Sequence, residues 1–98
     1  MRTYRPYWTL RAQAQLEEAE RWWTQERGSD LIECELDRVF DILTLNPYAG
    51  HATPQKPGVR RILMKKLRRY LYYRVNEEQH MLLIVAFWHT SRRRGPPF

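Results

Sequence analysis

Cysteine occurs once in these 98 residues, at Cys34, so no disulfide can form within the chain. Long apolar runs are missing too. The segment Met81 to Trp88 is too short to cross a bilayer, and the N-terminus, where Arg2 and Arg5 bracket Tyr4, has no signal-like apolar stretch. A cytoplasmic protein is the expectation. Acidic residues are scarce in the second half: residues 50–98 hold two Asp/Glu against eleven Lys/Arg, whereas residues 1–49 hold nine against six. Internal repeats and low-complexity tracts are absent. His51 and His80 fall in loop stretches without spaced partners, so no metal site is expected, and no cofactor either.

What is present fits one domain over residues 1–98, with enough apolar residues for a single modest core. The net charge of +6 belongs to the second half. A surface of one sign concentrates opposite charge and speeds encounter, so contact with phosphate or with an acidic protein segment is favoured. The plain alternative is a solvated basic face with no ligand. Cys34 lies mid-helix with no nucleophile signature around it and reads as a small packing residue.

Residues 3–8 carry Tyr4, Tyr7 and Trp8 and suit a short strand, which Pro6 places at a sheet edge because it has no amide to donate. Thr9 can cap a helix with a stripe of Ala12, Leu16, Ala19 and Trp23, and with Arg11, Gln15, Glu18 and Arg21 off the stripe. Gly28 is the expected left-handed stop. Asp30 with Glu33 has the form of a capping box, and Ile32, Leu36, Val39, Phe40 and Leu43 make a second stripe ended by Asn46-Pro47. So short a turn sets the two helices antiparallel. Residues 46–58, with three prolines and two glycines, read as a loop. From Leu67 the residues alternate: Leu67, Leu71, Tyr73 and Val75 take one side, joined by Arg69, and Arg68, Tyr70, Tyr72 and Arg74 form a cationic, aromatic outer face. The turn 76–80 leads into the apolar run Met81 to Trp88, a central strand in a hairpin. The order β-α-α-β-β-β follows. It implies an α+β fold in which a helical hairpin covers a small twisted, mostly antiparallel sheet, the first strand pairing parallel and the last three forming a meander. Residues 92–98 form an irregular tail onto which Phe98 can fold back.

Four pieces of this chain match one known pattern: Ala19-Glu20-Arg21-Trp22-Trp23; Leu45-Asn46-Pro47-Tyr48-Ala49-Gly50; Pro57-Gly58-Val59-Arg60-Arg61; and Tyr72-Tyr73-Arg74-Val75 with Ile84-Val85-Ala86-Phe87-Trp88-His89. In this order and spacing, over nearly the full length, the chain resembles the RelE/ParE superfamily of toxins from type II toxin–antitoxin modules. The echo of a ParE-like tail in His89, Arg92-Arg93 and Pro96 brings it closer to ParE. It departs from the family at Arg68-Arg69-Tyr70, where Phe-Pro-Tyr is usual. The resemblance implies a toxin held inactive by a cognate antitoxin, an acidic segment that folds onto the helices and sheet.

Two activities are implied by the superfamily, and an inert partner-binding module is a third reading. ParE-type members poison DNA gyrase by binding, for which Arg60, Arg68, Arg74, Arg92, Arg93 and Arg94 are the candidate target contacts. Arginine's planar fork suits both acidic protein and DNA backbone. RelE-type members cleave ribosome-bound messenger RNA, which needs a base, an acid and cations for the developing charge. Lys65, Lys66, Arg68, Arg69, Tyr70, Tyr72, His89 and Arg92 are the candidates for that chemistry. His89 is read first as a strand-end cap and second as an acid or base. Trp22, Arg60, Arg61 and Arg74 are assigned to the antitoxin surface, and at least two of the four tryptophans to the core. A toxin–antitoxin hetero-oligomer is the expected assembly, and a gyrase-directed inhibitor rather than an enzyme the favoured reading. Its physical basis is a single positively charged front presented by the curved sheet.

Overall fold

The computed structural model describes residues 3–27, 30–92 and 95–96. Five strands and two helices follow in the order β1 (Arg5–Trp8), α1 (Leu10–Arg27), α2 (Leu31–Leu43), β2 (His51–Ala52), β3 (Arg60–Met64), β4 (Arg69–Asn76) and β5 (Met81–His89), with a 3-10 turn at Lys65–Leu67. The sheet order is β1-β5-β4-β3-β2. β1 pairs parallel with β5 at the edge, and the remaining pairs are antiparallel. Among the described residues no helix is long and apolar enough to cross a membrane.

Each helix starts where its sequence says, with one difference. Thr9 Oγ1 accepts from the Ala12 N–H at 3.1 Å and so satisfies an orphan donor of α1. Asp30 stands at the N-cap of α2 but makes no side-chain cap bond, which overturns the capping box there. The Gly28 stop and the Phe98 return both lie outside the described residues. The two helical stripes meet the sheet: Ala12 and Ala19 from α1 and Ile32, Leu36, Val39 and Leu43 from α2 join Met64, Leu67, Leu71, Tyr73, Leu82, Ile84 and Phe87 in one buried cluster. Trp8, Trp23, Leu16 and Phe40 pack against it from the rim, so the tryptophans contribute to the core without being fully buried. Cys34 falls off the α2 stripe and is exposed, correcting its reading as a packing residue. Gln15, also off its stripe, turns inward. Its Oε1 accepts from the Phe87 N–H at 2.7 Å and ties α1 to β5.

Three local departures from strict strand alternation shape the rest. The Pro/Gly-rich loop contains a two-residue strand, His51–Ala52, which is too short for any periodicity to reveal. The expected strand from Leu67 begins at Arg69 instead. The 3-10 turn ends with Arg68 in the left-handed region (φ 53°), which takes Arg68 out of the ladder. Between β4 and β5 the register steps from Tyr72↔Ala86 to Tyr73↔Ile84, leaving Val85 as the extra residue of a bulge. Ile84 and Phe87, three apart, therefore share the helix-facing core, while Ala86 joins Val59 and Tyr72 on the opposite face with Tyr70, Val85 and Trp88 around them.

The segment Asn46 to Gly50 is held by one buried tyrosine. Tyr73 Oη donates to the Pro47 carbonyl at 2.7 Å and accepts from the Gly50 N–H at 2.9 Å. Arg60 Nη1 donates to the Gly50 carbonyl at 2.7 Å, and its guanidinium lies 4.9 Å from the Tyr48 ring centre. At the same corner the Tyr48 hydroxyl donates to Glu77 Oε1. Gly50 leaves no room for a side chain, because a Cβ there would sit 2.6 Å from Tyr73 Oη and 2.8 Å from the Arg61 carbonyl oxygen. Tyr73→Phe strips two buried backbone groups of their partner and is expected to lower stability by about 1–3 kcal/mol in urea unfolding. A change below about 0.5 kcal/mol in that measurement shows the clasp to be dispensable.

Candidate functional site

Consecutive arginines in a strand point to opposite faces, as at Arg60-Arg61 on β3, whereas Arg68 stands outside the ladder that Arg69 opens and both line one cleft. Pairing Arg60 with Tyr73 and Arg61 with Tyr72 puts Arg60 on the helix-facing side, in the loop clasp, and Arg61 on the open side. The single cationic front expected from the charge bias is therefore divided in two.

The open side carries an aromatic band. Arg61 lies 4.2 Å over the Tyr70 ring, Tyr70 and Tyr72 meet edge-on at 6.0 Å, and Arg92 lies 4.3 Å over Trp88, the cross-strand partner of Tyr70. Arg74 shares this side, with Nη1 2.9 Å from where a Cβ on Gly58 would be. Tyr72 is buried there, so the outer face has less exposed aromatic surface than alternation implied.

The other group lies where the 3-10 turn, the start of β4 and the end of β5 approach the C-terminal half of α1. Trp22, Trp23, Leu31, Lys66, Leu67, Arg68, Arg69 and His89 line a cleft of about 660 Å³, a size typical of ligand pockets. Trp22 is 48% exposed and meets Trp23 edge-on at 5.3 Å. Arg69, drawn inward by its place in the ladder opposite His89, lies 5.2 Å from the Phe87 ring centre. Burial lowers the pKa of its guanidinium, as does the charge of Arg92, while Glu18 opposes them. A second, shallower cleft of about 670 Å³ beside β1 is bordered by Thr3, Arg5, Tyr7, Glu78, Gln79, His80 and Met81, and does not gather cations in the same way.

His89 makes the backbone contact of a strand-end cap. Its Nδ1 accepts from the Ser91 N–H at 3.1 Å and lies 2.6 Å from the Ser91 hydroxyl, which is the strand-end cap. Of the remaining candidates, Lys65 is exposed on the 3-10 turn, away from the cleft lining, and Arg92 lies between the two cationic groups. Arg93 and Arg94 lie outside the described residues. Trp23, Leu31 and Leu67 complete the cleft without having been marked as functional. The doublet Trp22-Trp23 was the available signal, since two adjacent helical residues cannot both face one core.

The fold is that of toxins from toxin–antitoxin modules. A chain of the chromosomal ParDE system of P. aeruginosa superposes with a TM-score of 0.69 at 17% identity, covering 90% of this chain and 97% of that one. A chain of the intact E. coli RelBE toxin–antitoxin complex gives 0.62 at 20% identity, covering 91% and 99%. The isolated E. coli RelE toxin gives 0.61 at 16%, covering 91% and 86%. No curated protein matches in sequence. The model of the ParE toxin family, the toxin of the type II ParDE system, matches residues 7–94. This chain belongs to that family, and is a type II toxin of the ParE/RelE kind.

Burial, then the charges of Arg69, Arg92 and Arg68, lower the His89 pKa from its ordinary 6.5. Below that value the unfolded chain binds more protons than the folded one. The stability is thus whole above about pH 6.5 and is lost as pH falls through it. His89→Gln is expected to remove part of the decline in Tm between about pH 7.5 and 5.5; an unchanged slope shows that His89 does not feel the cluster.

Proposed function

We propose that this chain is a single-domain ParE-type toxin that acts in the cytoplasm by binding and inhibiting DNA gyrase, and that a cognate acidic antitoxin neutralises it. The observation that carries the reading is the ParE family match across residues 7–94. The arrangement of the site supports a binding function. Its cations are gathered in two groups, Tyr70 is covered by Arg61, and His89 Nδ1 is occupied by Ser91. Binding by charge and shape needs only the exposed edges of Arg61, Arg68, Arg74 and Arg92.

An antitoxin fits the same surfaces. The structural neighbours come from toxin–antitoxin systems, and a net charge of +6 with an exposed Trp22 suits an acidic segment that is disordered alone and folds on contact. Trp22, Arg61 and Arg74 are then its contacts, while Arg60 serves the loop clasp first. The RelE-like alternative, cleavage of translated messages, draws on the Arg61–Tyr70 and Arg92–Trp88 stacks, which offer a surface for unpaired bases.

The purified chain is expected to block supercoiling by gyrase and to accumulate cleaved DNA, leaving messages in a translation extract intact. Charge reversal of Arg74, as Arg74→Glu, should weaken that inhibition by about tenfold. Cuts at codon positions with supercoiling untouched would establish the ribosomal reading instead, and neither effect would leave an inert binding module.

A further inference from the structure

Among the described residues Arg69 has no ion-pair partner. Its Nε is shut off from solvent and has no hydrogen-bond partner. Among the described residues, Arg92 adds to the cost and Glu18 on α1 supplies an opposing, attractive field. A guanidinium half withdrawn from water is ordinarily paired, because desolvation without a counter-ion is costly. The Phe87 ring gives it a cation–π contact and no more.

The surroundings state what is missing. Arg69 lines a cleft whose other walls are Trp22, Trp23, Leu31, Leu67 and His89, with Lys66 and Arg68 exposed at the rim. An anion is required at the floor, carried on an apolar body that can lie against the tryptophans. The apolar walls select among anions: a carboxylate on a peptide brings apolar neighbours to cover them, as a free phosphate does not, and one guanidinium fork matches a carboxylate. We propose that this cleft is a carboxylate socket, in which an acidic side chain of a partner peptide bonds to the Arg69 guanidinium while its apolar neighbours cover Trp22, Trp23, Leu31 and Leu67. The assignment rests on the reading of this chain as an antitoxin-controlled toxin and locates one anchor of that partner. Lys66 and Arg68 draw the acidic segment in.

A socket of this kind leaves a mark on the free protein. Removing the uncompensated charge relieves a cost borne only in the absence of the ligand, so Arg69→Met should raise the Tm of the chain alone while weakening capture. A residue with a purely structural role would lower Tm. The test uses calorimetric titration of the full chain with three probes: an N-acetylated, amidated hexapeptide alternating leucine and glutamate, its glutamine counterpart, and inorganic phosphate. The glutamate peptide is expected to bind about tenfold more tightly than the glutamine peptide, and inorganic phosphate to bind more weakly than the glutamate peptide. Arg69→Met should erase that tenfold preference, Arg69→Lys should keep part of it, and Glu18→Gln should tighten the glutamate peptide about threefold. Equal affinities for the two peptides, a lower Tm in Arg69→Met, or phosphate binding tighter than peptide would each overturn the socket. Gyrase inhibition is measured on the same preparations. Inhibition with peptide preference unaffected by Arg69→Met overturns the socket alone, whereas peptide capture through Arg69 without any effect on gyrase supports the socket and overturns only the gyrase reading.

Discussion

One face of the sheet has to be kept from water, and two helices are the means. Leu71, Tyr73, Leu82, Ile84 and Phe87 on the central strands, with Met64 and Leu67 before them, are buried against the stripes of α1 and α2. Burial of apolar area at roughly 25 cal/mol per Å² is the main favourable contribution in a chain of this size. Everything functional is placed by that layer. The clasp at Gly50 is tied to a core tyrosine, the cleft forms where the layer runs out beyond Leu67, and the open face is whatever the helices do not cover.

Much of the architecture was legible. Period-two and period-3.6 patterns identified both helices and the strands of the meander, because each depends on which face is apolar, while the missing amide of Pro6 gave the edge position of β1 and the helical crossover its parallel pairing. Thr9 as a cap was readable for the same local reason. The two-residue β2, the 3-10 turn and the missing cap bond at Asp30 were not. Each is decided by distant contacts or by a couple of backbone dihedrals, which leave no periodic trace.

The candidate site was legible in content but not in arrangement. Basic residues of the second half do gather, yet adjacent pairs such as Arg60-Arg61 must part across the sheet, and the charge bias along the chain could not tell which member goes where. Arg60 illustrates the limit: a surface role suits its type, while the structure gives its Nη1 to a backbone carbonyl. Clefts assembled from both helices and two strands are the least visible from a linear reading. Their walls come from residues that each look like ordinary core or ordinary surface.

The extra residue at Val85 works as a phase shifter. Up to Ile84 the even-numbered side chains of β5 point to the helices, and beyond the bulge the odd-numbered ones do, which is why Phe87 lies in the core and His89 faces Arg69. Taken into a regular ladder instead of being bulged out, Val85 would move every residue beyond it to the opposite face. Trp88 would then be driven inward, and Phe87 and His89 would be turned out to the other surface, so the composition of both faces hangs on an inserted amino acid whose own side chain touches neither the cleft nor the main core.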